Sequence, residues 1–201
     1  MTDASGPSYP HDRARANRQR VASDWLSIET RRLVLRTLPP AALAALVAGD
    51  RAEASRLAGC DLGAFPDEER GIAEVRLKDV TDDPSYLPWS LRAMALKPSL
   101  AFVGHFNFHA KPGADYLKEL APGAAEFGYF VMPAYRRQGF AEEAALGMMD
   151  WARRSHGVGR FVVSIGPDNA PSVAMAAKLG FAKIGSHIDE IDGYEDILAL
   201  G

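Results

Sequence analysis

Between Phe127 and Arg154 the chain reads as strand, turn and helix in direct succession, and this order constrains the fold more than any other stretch. Phe127-Gly-Tyr-Phe-Val-Met132 is aromatic and β-branched enough for a strand, and Pro133 ends it. From Phe140 the period changes. Phe140, Ala144, Met148 and Ala152 recur every four residues with Ala141, Ala145 and Met149 beside them, while Glu142, Glu143, Asp150, Arg153 and Arg154 fall elsewhere, as in an amphipathic helix. Joining the two is Arg136-Arg137-Gln138-Gly139-Phe140-Ala141, a basic turn with small residues. The first N–H groups of a helix lack intrahelical partners and sit at the positive end of its dipole, so a docked anion satisfies them. Gly139 lets the backbone approach closely. Alone, the stretch reads equally as an exposed turn that starts a helix.

A second unit of the same kind follows. Arg160-Phe-Val-Val-Ser-Ile165 reads as a strand, and Gly166 to Ser172 as a turn into another helix with Asn169 at the N-cap. That helix ends in Lys178-Leu179-Gly180-Phe181, with glycine where a C-terminal cap prefers it and Phe181 able to pack back on the last turn.

These residues carry a family resemblance. Glu126-Phe-Gly-Tyr-Phe-Val-Met-Pro-Ala-Tyr-Arg-Arg-Gln-Gly-Phe-Ala-Glu-Glu-Ala, with Pro167-Asp-Asn-Ala-Pro-Ser172 and Leu179-Gly-Phe181, resembles the GNAT acyltransferase superfamily, RimJ/RimL branch. Ile28-Glu-Thr-Arg-Arg-Leu-Val-Leu-Arg36 is similar to that branch's first strand, so the likeness runs from about residue 28 to 190; residues 40 to 100 match only in layout. The resemblance implies an α/β (α+β) single domain over 28–201, with a mixed, strongly twisted sheet flanked by helices and splayed at the cofactor site. It also implies acetyl-CoA as co-substrate. The family's pyrophosphate pattern falls on Arg136, Gly139 and Ala141, with Arg137, Gln138 and Phe140 in the same turn. By resemblance, Tyr129, Phe130 and Val131 pair with the pantetheine arm like an added strand, with an N–H near Val131 as oxyanion donor, and Asn169 reaches the pantetheine or adenine side.

Composition excludes several classes. The 201 residues suffice for one sizeable core and are short for two domains, and 47% hydrophobic with 24% charged content is ordinary for a globular protein. No apolar run approaches the roughly 20 residues that span a bilayer. Cys60, the one cysteine, excludes an intrachain disulfide, and no Cys/His cluster has zinc spacing, so no metal is expected and a cytoplasmic setting is. A net charge of −3 argues against nucleic acid as partner. Residues 1–27, with Arg13, Arg15, Arg18 and Arg20, read as a solvated or packing arm rather than a targeting peptide, for want of an apolar core.

Elsewhere Ala41 to Leu57 suggests one helix, and Pro66-Asp-Glu-Glu-Arg70 opens another. Leu91 to Leu96 and Ala101 to His109 read as a hairpin. In the second run, period two puts Phe102, Gly104, Phe106 and Phe108 on one side and Val103, His105, Asn107 and His109 on the other, facing solvent or an active-site wall. Lys111 to Ala124 reads as a loop.

Acetyl transfer from a thioester to an amine needs a neutral amine. A lysine-type amine, with pKa about 10.4, costs roughly 4–5 kcal/mol to deprotonate at pH 7, and an α-amine near 7.8 about 1 kcal/mol. A thiol of pKa about 8.5 leaves without much help. Glu126, on the strand entering the cofactor turn, is the candidate general base through water, as a matching glutamate is in several GNAT branches; it reads equally as structural. The tyrosine that many GNATs use as acid is replaced by Ala176, and the branch's alternative, the serine of Asn-x-x-Ser, is Ser172. Ser164 stands where another branch has a catalytic glutamate. His187 and Tyr194, within the acidic stretch of Asp189, Glu190, Asp192 and Glu195, are candidate acceptor contacts or part of a solvated hairpin. The expected function is acetyl transfer to a primary amine, of a small molecule or a protein N-terminus, in a ternary complex, with a homodimer left open. The alternative is a catalytically weak GNAT-like acyl-CoA-binding or sensing module. A Walker-type nucleotide enzyme fails for want of Gly-Lys-Ser/Thr after the turn.

Overall fold

The computed structural model describes residues 26–189 and 193–201. The expected arm up to residue 25 and the acidic positions Glu190 and Asp192 lie outside the described residues. The described chain forms eight strands and five α-helices: β1 (Ser27–Glu29), β2 (Leu33–Thr37), α1 (Pro40–Val47), α2 (Arg51–Ala58), α3 (Arg70–Asp82), β3 (Arg92–Leu96), β4 (Ala101–Phe108), β5 (Ala125–Val131), α4 (Phe140–His156), β6 (Phe161–Ile165), α5 (Ala170–Leu179), β7 (Ala182–Asp189) and β8 (Gly193–Leu200). They build one mixed sheet in the order β1-β2-β3-β4-β5-β6-β8-β7. Every neighbouring pair is antiparallel except β5 and β6.

Two expected elements divide. The run Ile28 to Arg36 is a hairpin rather than one strand, because Thr30 closes a turn on Leu33: its N–H donates to the Leu33 carbonyl at 2.9 Å, and its Oγ1 accepts from the Leu33 N–H at 3.0 Å. The run Ala41 to Leu57 is two helices, α1 and α2. Gly49 takes a left-handed φ of 79°, which ends the first, and the Asp50 carboxylate accepts from Glu53 N–H at 2.9 Å, which starts the second. The loop from Lys111 to Ala124 contains one short 3-10 turn, Asp115–Leu117.

The hairpin of β3 and β4 forms as expected, but β4 is buried on both faces. On one face Phe106, Phe108 and Phe127 make a ring cluster, with Phe106 and Phe127 stacked at 5.0 Å, and Trp89 and Trp151 close it beneath α4. His105 and Asn107, only 4% and 3% exposed, lie on the other. The alternation breaks near Val103, where a register shift marks a bulge between β3 and β4. Phe65 consequently meets both Phe102 (5.4 Å) and His105 (6.2 Å), so Phe102 joins the histidine side. The apolar stripe of α4 packs as its period requires, with Ala144, Ala145, Met148, Met149 and Ala152 all buried. Among the described residues no helix is long and apolar enough to cross a membrane.

Candidate active site

β5 and β6 pair only through Ala125 with Phe161 and Glu126 with Val162, and then part. From Gly128 to Val131, β5 keeps β4 on one edge, its residues only half-buried. The ladder fixes which backbone groups face the gap. His109 N–H bonds the Glu126 carbonyl at 2.8 Å and Met132 N–H the Val103 carbonyl at 2.9 Å, so the even-numbered residues of β5 are spent on β4. The amides and carbonyls of Tyr129 and Val131 therefore turn to the open edge. Arg136 meets them there, its Nε donating to the Val131 carbonyl at 2.9 Å.

The basic turn follows β5, beyond the point where the two strands part. Arg137 and Gly139 flank Gln138 with φ of 61° and 79°, a left-handed pair that shapes a concave run of amides. The Gln138 carbonyl is drawn aside by Arg32, whose Nη1 donates to it at 2.9 Å. The first bond of α4 runs from Glu143 N–H to the Gly139 carbonyl, so the helix itself leaves the N–H groups of Phe140, Ala141 and Glu142 unspent. Glu143 holds the arrangement together, accepting from Arg32 Nε, Arg32 N–H and Thr30 Oγ1, each at 2.6 Å. Arg32 also lies 4.3 Å from the Phe140 ring centre. Sequence reasoning missed both Thr30 and Arg32, because a turn read as strand leaves no reason for them to reach a helix more than 100 positions away.

Across the gap, Asn169 Oδ1 accepts from Ser172 N–H at 3.3 Å as the N-cap of α5, while Gly180 ends that helix at φ 88°. Tyr129 donates its hydroxyl to Ser172 Oγ at 3.0 Å, which leaves the serine's own hydrogen for another acceptor. Ala176 is the buried residue of α5.

On the histidine side of the sheet a polar cluster closes the narrow end of the gap. Glu126 is 5% exposed, accepts from Ser164 Oγ at 2.6 Å and faces His109 Nδ1 at 3.6 Å. Tyr116, from the loop after β4, lies against the same carboxylate. Burial alone would push the Glu126 carboxyl up; His109, Ser164 and Tyr116 outweigh it and bring the pKa down to about 2. A carboxylate held this low stays ionised at neutral pH and is a weak direct acceptor for an ammonium proton. Nearby, His105 Nε2 donates to Glu69 at 2.8 Å, and its ring stacks on Phe130 at 5.5 Å. His105 Nδ1 and Asn107 Oδ1 are buried polar atoms on the same side of the sheet.

His187 and Tyr194 stay outside this arrangement, on the β7–β8 hairpin. His187 faces Glu195 at 3.2 Å, and Tyr194, half exposed, lies 6.0 Å from Lys183. Glu126, Tyr129, Phe130 and Val131 lie on β5, Arg136 to Ala141 on the turn that follows it and at the start of α4, and Asn169 and Ser172 at the start of α5. Of the rest, His109 and Tyr116 could have been found only from knowing that the polar side of β4 meets the splay.

A family model described as an acetyltransferase (GNAT) domain matches residues 32–182. Over 52 residues, 26% of this chain, the sequence is 40% identical to the mouse alpha/beta-tubulin-N-acetyltransferase 9, and the match spans 22% of that protein. A protein of Nematostella vectensis named N-acetyltransferase 9-like is 44% identical over 52 residues, 26% of each chain. The chain thus spans about a quarter of the length of the curated relatives it matches. Among solved structures, Mycobacterium smegmatis RimJ in complex with CoA-disulfide superposes with a TM-score of 0.57 at 18% identity, covering 87% of this chain and 86% of that one.

Proposed function

The chain belongs to the GNAT acetyltransferase family, and on that premise we propose that it transfers the acetyl group of acetyl-CoA to a primary amine by direct attack in a ternary complex. The observation that carries this reading is the parting of β5 from β6 after Glu126, with the Tyr129 and Val131 backbone turned into the gap and the amide run of residues 137–142 at its wide end. Pantetheine amides can extend the ladder at Tyr129 and Val131 as an added strand, and the pyrophosphate can take the unspent amides of α4. A Val131 or Tyr129 N–H then stands ready for the oxyanion as the thioester carbonyl becomes tetrahedral.

Proton removal from the ammonium falls to the Glu126 cluster, and proton delivery to the departing thiolate to Ser172, recharged by Tyr129. This pair takes the place of the absent tyrosine at Ala176 and favours an active enzyme over a bare binding module. The acceptor is a small-molecule amine or a protein N-terminus. Release of free CoA thiol, measured over a panel of α-amino, ε-amino and small amines, tests the reading. Amine-dependent release is expected; tight CoA binding with no amine-dependent release would leave only the binding module.

Arg136 provides a local check. Its guanidinium is exposed, tied by Nε to the Val131 carbonyl and 5.8 Å from the Phe130 ring centre. Arg136→Ala should weaken CoA binding several-fold at low ionic strength, and the difference should shrink as the Debye length falls toward about 3 Å near 1 M salt. Titration calorimetry at two salt concentrations reads it.

A further inference from the structure

We propose that His109 is the group that takes the proton from the acceptor amine, with Glu126 as its positioning partner. This rests on the acetyltransferase reading above and assigns a residue within the same site. His109 follows the last residue of β4, and its side chain is 39% exposed, against 5% for Glu126. The two ring nitrogens face different surroundings. Nδ1 faces the buried carboxylate at 3.6 Å, an arrangement that keeps the ring proton on Nδ1 and leaves a lone pair on Nε2.

Nε2 reaches over Gly128, two residues beyond the last β5–β6 pair at Glu126. A Cβ built on Gly128 would lie 2.8 Å from it. The imidazole thus occupies the place where any other residue would carry a side chain. It overlooks the stretch of β5 whose backbone receives the thioester, while Glu126 lies behind it.

Every element packed around the ring supplies a group. Glu126 comes from β5, Ser164 from β6 and Tyr116 from the loop. From α3, Arg76 donates to the His109 carbonyl at 3.1 Å and is paired with Asp79 and Tyr86. On β4 itself are Asn107 and His105, the latter bound to Glu69. The Arg76 charge is held by its own partners, and the carboxylate nearest the ring is Glu126.

The step balances simply. The ammonium gives one proton to Nε2, and the freed lone pair attacks the thioester carbon. The C–N bond forms, the C–S bond breaks, and the thiolate takes its proton from Ser172. The imidazole passes the first proton to solvent and then takes the second from the new amide nitrogen, Ser172 is reprotonated from solvent through Tyr129, and the net products are the amide, the free thiol and one proton.

His109→Asn keeps a donor for the Glu126 carboxylate and removes the proton acceptor. At neutral pH it should lower kcat/KM by about 100-fold, within the usual range for general-base loss, while CoA affinity measured by calorimetry stays within a few-fold of wild type. The pH profile is the decisive readout. With a base present, kcat/KM should level off below the pKa of the amine. Without it only free amine reacts, so the variant's rate should climb about tenfold per pH unit up to that pKa, and the deficit should narrow as pH rises. Glu126→Gln should give a smaller loss and keep the plateau. A His109→Asn profile parallel to wild type, or loss of the plateau in Glu126→Gln alone, would overturn the proposal and leave amine acetylation standing. A wild-type protein that binds CoA and acetylates no amine would overturn both.

Discussion

Gly139→Val is expected to abolish CoA binding, while Gly139→Ala weakens it by roughly tenfold. Gly139 sits at φ 79°, where a Cβ costs roughly 1–2 kcal/mol in backbone strain, and a β-branched side chain costs more. The space next to it is not crowded, since the nearest atom to a built Cβ is Arg32 Nη2 at 3.5 Å, an ordinary contact. Alanine therefore meets mainly the backbone penalty. Valine adds two methyl groups in front of the amides of residues 140–142, which is where a phosphate has to stand. If the turn yields to relieve the strain, the Arg32 bonds to the Gln138 carbonyl and to the Glu143 carboxylate are disturbed with it. Calorimetric titration with CoA, alongside thermal unfolding to show that the variants are folded, gives the result. Normal binding by Gly139→Val would mean that the anion lies elsewhere.

The two strand-turn-helix units were legible because local chemistry decides them. Period, Pro133, the Asn169 cap and the Gly180 cap act over a few residues, and each forms as the sequence suggests. The division of Ile28 to Arg36 into a hairpin was not legible, since Thr30 is as good a strand residue as a turn residue until it bonds Leu33 and Glu143. The break at Ala48 to Asp50 carried a signal that an alanine-rich run obscures: Gly49 followed by Asp50 is a stop followed by a cap. The site divides along the same line. The cradle is contiguous in sequence and could be read from it. The polar cluster joins positions 109, 126 and 164 through the sheet and 116 through the loop after β4, and such placement is a tertiary fact. Period two did place His105, Asn107 and His109 on one side of β4; only the fold decides that this side is a wall and not solvent.

Gly128→Ala should slow acetyl transfer by about 100-fold at neutral pH without destabilising the protein. A Cβ there would come within 2.8 Å of His109 Nε2 and 3.8 Å of Asn107 Nδ2. The first distance is shorter than real Cβ contacts allow, but the atom it meets is the far end of a side chain that is 39% exposed, so the imidazole swings out and the strand stays. Replacing a strand-interior glycine also lowers the entropy of the unfolded chain, which offsets the repacking by about 0.5–1 kcal/mol. Stability and rate should therefore separate: an unfolding midpoint near wild type, CoA affinity little changed, and kcat/KM reduced to the level of His109→Asn. Because the alanine acts by displacing the base, adding it to His109→Asn should cost little more, and the two losses should be far from additive. Kinetics of the four proteins of this cycle, measured at one pH below the pKa of the amine, give the coupling. Additive losses would mean that Gly128 serves the backbone near the thioester and not the imidazole, and that the close approach of the ring to the strand has no part in the chemistry.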